Sequence, residues 1–181
     1  MPILFANGKA SKPPAMKYLS FFSLLILTSC SRLNPPSPVQ VEISEAGLNI
    51  NGTWYTELPA LSVFNEELGK ARFVSGSINH LYIWDQQGIC IFQDCESLEI
   101  TTLHFSLSGD ERKNRPNENF KGVLQLFDTP LTASTPRSSI RKFKETKEAF
   151  IIPHIQTAAG PFTVSFSFTE DVLRSVEIWV P

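Results

Sequence analysis

Three cysteines and three histidines are the residues of this 181-residue chain best suited to chemistry. A thiolate can serve as nucleophile or soft-metal ligand, and an imidazole as base or ligand. Their spacing supports neither role. His80, His104 and His154 lie far apart, and no Cys or His stands at metal-ligand spacing from them, so no metal and no cofactor are expected. No Gly-x-Ser-x-Gly elbow or Gly-rich phosphate loop occurs, and no small-residue turn would expose a serine or cysteine nucleophile. His104 falls on the outward phase of its strand, where it reads as a solvated side chain. Glu170-Asp171 reads as a turn rather than a carboxylate pair. No catalytic residue is assigned, and the chain is not expected to be an enzyme.

Cys30 has a different context. Lys17 precedes an apolar run containing Leu19, Phe21, Phe22, Leu24, Leu25, Ile26 and Leu27, and the small residues Thr28 and Ser29 lead into the cysteine. That run is too short to span a hydrocarbon core of about 30 Å, so residues 1–29 read as a cleaved signal peptide. Leu27-Thr28-Ser29-Cys30 resembles the bacterial lipobox. The resemblance implies diacylglycerol on the Cys30 sulfur and an acyl chain such as palmitate on its new amine. At about 0.8 kcal/mol per buried methylene, several chains would hold the protein in a bilayer permanently. Residues 1–15 contain Pro and Lys and have no place in such a signal, so translation is expected to begin at Met16. Residues 30–40 carry Pro35, Pro36 and Pro38 and read as a lipidated, semi-rigid tether. Serine after the cysteine resembles the outer-membrane sorting pattern of enterobacterial lipoproteins. The expected location is therefore the cell envelope, on the periplasmic side of the outer membrane.

Charge is nearly balanced, with 16 Lys and Arg against 18 Asp and Glu, which leaves no basic stripe for nucleic acid. The 14 Phe gather in alternating runs that predict sheets. Asn51-Gly52 predicts a tight hairpin, and Leu58-Pro59 opens a helix with Leu61, Phe64 and Leu68 on one face and Gly69 at its end. Strands follow, including 98–107, where Leu103, Phe105 and Leu107 alternate with Thr102, His104 and Ser106 as a buried and a wet face. Residues 109–119, polar apart from Gly109 and Pro116, read as a solvated linker. The pattern then restarts, with a helix opened by Thr135-Pro136, a Phe162, Val164, Phe166, Phe168 strand, and a final strand through Val176 and Ile178.

Leu58-Pro59 thus answers Thr135-Pro136, Val63 answers Ile140, and Phe73 answers Phe150 without a gap. This predicts an α+β fold of two pseudo-symmetric repeats, 41–108 and 120–181, each a helix on an antiparallel sheet. The helix ending Leu68-Gly69 before a meander that opens Leu81-Tyr82-Ile83-Trp84 is similar to the repeat of SmpA/OmlA-type and β-lactamase-inhibitor-like lipoproteins. The whole also resembles an uncharacterised bacterial lipoprotein family with two such units. The second helix departs from the pattern, with Thr146-Lys147 in place of Leu-Gly. The resemblance implies a fold and supplies no catalytic residue.

Cys90 and Cys95 flank Ile91-Phe92-Gln93-Asp94. If that stretch is a tight connection, a disulfide would close a short loop and contribute about 2 kcal/mol. If it is continuous strand, residues five apart face opposite ways. The disulfide is the reading carried forward. The expected function is a non-catalytic protein-binding role as an envelope adaptor or assembly factor, anchored to the lipid bilayer through Cys30. The alternative is a periplasmic inhibitor or immunity protein. In either case the partner is an unidentified envelope protein, and Trp54, Tyr55 and Trp179 are the candidate anchors.

Overall fold

The computed structural model describes residues 38–109, 114–143, 147–148 and 154–181. The expected signal peptide with Leu27, Thr28 and Ser29, the expected lipidation site Cys30 and the expected tether up to residue 37 lie outside the described residues.

Alternation along the chain becomes strands wherever one phase is apolar. β1 (Gln40–Ser44) pairs with β2 (Gly47–Ile50), which pairs with β3 (Thr53–Tyr55). The β2–β3 turn is Asn51-Gly52, and both residues take positive φ (50° and 91°), the backbone that a two-residue hairpin needs. α1 (Leu61–Leu68) buries Phe64. It ends at Gly69, whose φ of 80° releases the chain and whose N–H donates to the Asn65 carbonyl at 3.0 Å. The meander β4 (Arg72–Val74), β5 (Asn79–Trp84), β6 (Ile89–Asp94) and β7 (Ile100–Ser106) follows. Later come β8 (Val123–Leu126), β9 (Thr129–Pro130), α2 (Arg137–Ile140), β10 (Lys147–Glu148), β11 (His154–Ala159), β12 (Phe162–Thr169) and β13 (Val172–Trp179).

The α+β arrangement of two helix-on-sheet repeats does not form. Instead two sheets share one core. The smaller has the order β3-β2-β1-β8-β9, and the larger has the order β10-β11-β12-β13-β7-β6-β5-β4. Both cross the expected boundary, since β1 runs parallel to β8 and β7 pairs antiparallel with β13. Size explains the correction. Eight strands about 4.8 Å apart present a face far wider than a helix about 10 Å across can cover. The described helices are two turns and one turn long, and Phe64 and Ile140 are their buried residues. The small sheet supplies the missing cover. Val41, Ile43, Leu48, Ile50, Leu124 and Leu126 join Trp84, Ile91, Leu103, Phe105, Val164, Phe166, Val176 and Ile178 in a single cluster. Residues 38–181 accordingly form one compact unit.

Candidate functional site

The period of two along β5 places His80, Tyr82 and Trp84 on the core-facing side of the large sheet. Trp84 is buried there, its ring 5.9 Å from that of Phe64, and its Nε1–H donates to the Gly69 carbonyl at 2.7 Å. Beyond α1 the cover stops. Tyr82 is partly buried and His80 is partly exposed at the open end of the strand. Phe73, opposite Tyr82 on the edge strand β4, sets its ring 5.2 Å from Tyr82 and 5.3 Å from His80. It remains 52% exposed.

Cys95 follows the last residue of β6 and meets this cluster. Its Sγ lies 3.6 Å from His80 Nδ1 and 3.4 Å from the Gly76 carbonyl, and its backbone N–H donates to the Ile78 carbonyl at 3.1 Å. Asp94 shapes the adjoining turn by accepting the Glu96 and Ser97 N–H groups at 2.9 and 2.8 Å. Those bonds, Ser97's first, hold the Asp94 carboxyl below its ordinary pKa. In the same turn Leu98 takes φ 59°, uncommon for a leucine, and leaves its side chain 61% exposed.

An open groove of about 970 Å³ runs beside this turn. Leu58, Pro59, Leu61, Leu98, Ile100 and Val180 line it, together with the carboxylates Glu57 and Glu99. Gln93 links groove and cluster. It lines the groove, accepts from the Tyr82 hydroxyl at 3.2 Å and donates to the Leu98 carbonyl at 2.7 Å. Groove, aromatic cluster and thiol are therefore one contiguous surface.

The opposite face of the same sheet corrects two expectations. His104 is fully enclosed rather than solvated, with Nδ1 3.0 Å from Glu177 Oε1. Arg115 Nη2 lies 3.6 Å from the same oxygen, and its guanidinium stacks 4.8 Å above the Phe92 ring. Residues 110–113 of the expected linker 109–119 lie outside the described residues; residues 114–119 are a strap across this face that ends at Phe120. The Asn117 and Glu118 N–H groups donate to the side chain and carbonyl of Asp85, and the Phe120 N–H donates to the Ser106 carbonyl. Asp85 is itself gripped by Arg72 at 2.7 and 2.8 Å. The Arg72 hydrogen bond chiefly, with the Asn117 N–H adding to it, lowers the Asp85 pKa, and the Arg72 pKa rises in return.

The Cys90–Cys95 disulfide is also corrected. Residues 89–94 are one strand, so no turn brings the two sulfurs together. Cys90 is buried on the strapped face with His104 as its cross-strand neighbour, whereas Cys95 reaches His80 on the other side.

Residues 40–141 match the family model described as Domain of unknown function (DUF7738). The chain belongs to this family. No curated protein matches it. Among solved structures it is similar to a DUF4309 family protein (YjgB) from Bacillus subtilis subsp. subtilis str. 168, at 12% identity over 73% of this chain and 84% of that one, with a TM-score of 0.44.

The DUF7738 match runs from the start of β1 to the residue after α2. It contains the His80–Cys95 pair, Phe73 and most of the groove, while Glu177 and Val180 lie beyond it. Of the three anchors expected from sequence, Trp54 and Tyr55 fall within the DUF7738 match and Trp179 outside it. Trp54 is 45% exposed on β3, Tyr55 turns inward against the core, and Trp179 is half-buried on the outer face of β13 between Thr102 and Thr163. Trp54 and Trp179 belong to different sheets, so the three do not form one patch. Sequence reasoning missed Phe73 and Leu98, which resemble core residues by type. The short β4 and the unusual turn are what expose them. Among the described residues no group of three or more His, Cys, Asp or Glu is placed to hold a metal, and no helix is long and apolar enough to cross a membrane.

Proposed function

We propose that this DUF7738 protein is a lipid-anchored, non-catalytic binding protein of the bacterial cell envelope. It docks another envelope protein on the surface formed by Phe73, Gln93, Leu98 and Val180. The observation that carries the docking role is the continuity of exposed apolar side chains with a groove about as large as a ligand pocket. Phe73 stands half exposed on the edge strand beside Tyr82, and exposed aromatic side chains of this kind are enriched at protein interfaces. Anchorage is supported by the Leu27-Thr28-Ser29-Cys30 pattern, and the Pro-rich residues that follow would keep the domain within a few nanometres of the bilayer.

Metabolic labelling with a fatty acid tests the anchor, and a photo-crosslinking residue placed in turn at Phe73, Leu98 and the remote exposed Glu45 tests the surface. Incorporation of label that is lost in Cys30→Ser is expected, together with a discrete adduct from Phe73 and Leu98 alone. An unlabelled chain would remove the anchor from the proposal. Equal adducts from all three positions would remove the docking surface.

A further inference from the structure

The Cys95–His80 pair supports an activity that does not depend on the envelope reading. We infer that Cys95 is a thiol–disulfide exchange site, which takes up a small cationic disulfide with His80 as the proton acceptor. The Sγ to Nδ1 distance of 3.6 Å is within reach of an S–H···N hydrogen bond, which the thiol proton makes by turning from the Gly76 carbonyl 3.4 Å away. Both partners are held in place, Cys95 by its N–H bond to Ile78 and His80 by the β5 register and the Phe73 ring. Both are partly exposed, so a reagent can reach the sulfur. Asp94, Glu96 and Glu99 surround the turn, and these carboxylates favour a disulfide bearing positive charge.

The step balances without a further oxidant. The Sγ proton passes to His80 Nδ1, and Sγ attacks one sulfur of R–S–S–R. The Sγ–S bond forms as the S–S bond breaks, and the departing thiolate leaves as R–SH with the imidazolium proton. The disulfide is reduced as the protein thiol is oxidised. Cys90 cannot release the adduct, because it is enclosed on the opposite face of the sheet. The mixed disulfide therefore persists until an external thiol attacks it.

The test treats the full chain with cystamine and locates the added mass by peptide mapping. At one pH, Cys95 in the folded chain should react roughly tenfold or more faster than Cys90, and faster than Cys95 in the denatured chain. His80→Asn and His80→Gln, each checked by thermal melt, should slow Cys95 by roughly fivefold or more, while Cys90→Ser leaves its rate unchanged. Slower reaction of Cys95 in the folded than in the denatured chain would overturn the inference, and so would folded His80 variants with the original rate. If neither variant folds, the folded-against-denatured comparison on the unaltered chain decides.

Discussion

The large sheet carries a cysteine beside a histidine on each of its faces, and the two pairs differ in cover rather than in chemistry. Cys90 and His104 are cross-strand neighbours on β6 and β7, both without solvent exposure. Cys95 and His80 meet at the open end of β5 and β6, both partly exposed. The first pair lies under the strap, where Arg115 and Asn117 meet Glu177 and Asp85. The second lies beyond the reach of α1 and the small sheet. A polar segment can thus bury a sheet face as fully as an apolar one does, provided that each polar group it brings finds a partner.

The largest break in this contrast should come where the two coverings meet. Phe105 is 1% exposed and packs edge-on against Phe120, at 5.0 Å, as the strap turns into the small sheet. Phe105→Ala should cost about 3–5 kcal/mol in denaturant unfolding. Phe73→Ala, at the exposed pair, should cost less than about 1 kcal/mol. Similar losses from both would mean that the open end is core.

Gly88 is the next test. Its φ is +70°, and a Cβ there would run into the backbone of Asn119 and Phe120. Gly88→Ala should displace the strap, cost about 2–3 kcal/mol, and make Cys90 reactive towards alkylating reagent under native conditions. A variant that is destabilised with Cys90 still protected would show that something other than the strap encloses the thiol.

Glu177→Ala removes the carboxylate shared by His104 and Arg115 and should cost about 1–3 kcal/mol by the same unfolding measurement. An unchanged midpoint would show that the strap does not depend on that carboxylate.

The smallest effect is at Asp85. Its depressed pKa means that the charged form is stabilised in the folded state. The contribution is therefore present above the ordinary carboxylate value and is lost as pH falls through the lower folded value. The Arg72–Asp85 pair is partly exposed, so Asp85→Asn should cost only about 0.5–1 kcal/mol near neutral pH. It should also flatten part of the acid limb of stability, a loss read by melting the variant and the parent from pH 5 downwards. Asp94→Asn serves as the matching change at the open end, because its carboxyl is depressed by turn N–H groups and not by an ion pair.

Local patterns were legible from residue order alone. The Asn51-Gly52 hairpin, the Gly69 helix end, and the buried phase of Phe162, Val164, Phe166 and Phe168 follow from backbone stereochemistry and two-residue alternation, which act over neighbouring positions. Of the surface now proposed, no part was legible as a unit. His80 and Cys95 are separated in sequence, and their meeting depends on the β5–β6 register. The enclosure of His104 was illegible for the same reason, because a polar segment signals solvent unless its hydrogen-bond partners are known. Sequence by itself determined the Asn51-Gly52 turn, the alternation of the longer strands, and the Leu27–Cys30 motif on which the anchor proposal rests. Tertiary structure decided that both sheets cross the middle of the chain, that Cys90 and Cys95 face apart, and which thiol meets water. Those outcomes depend on pairing between distant strands and on what is left to cover each face, quantities that no local pattern contains.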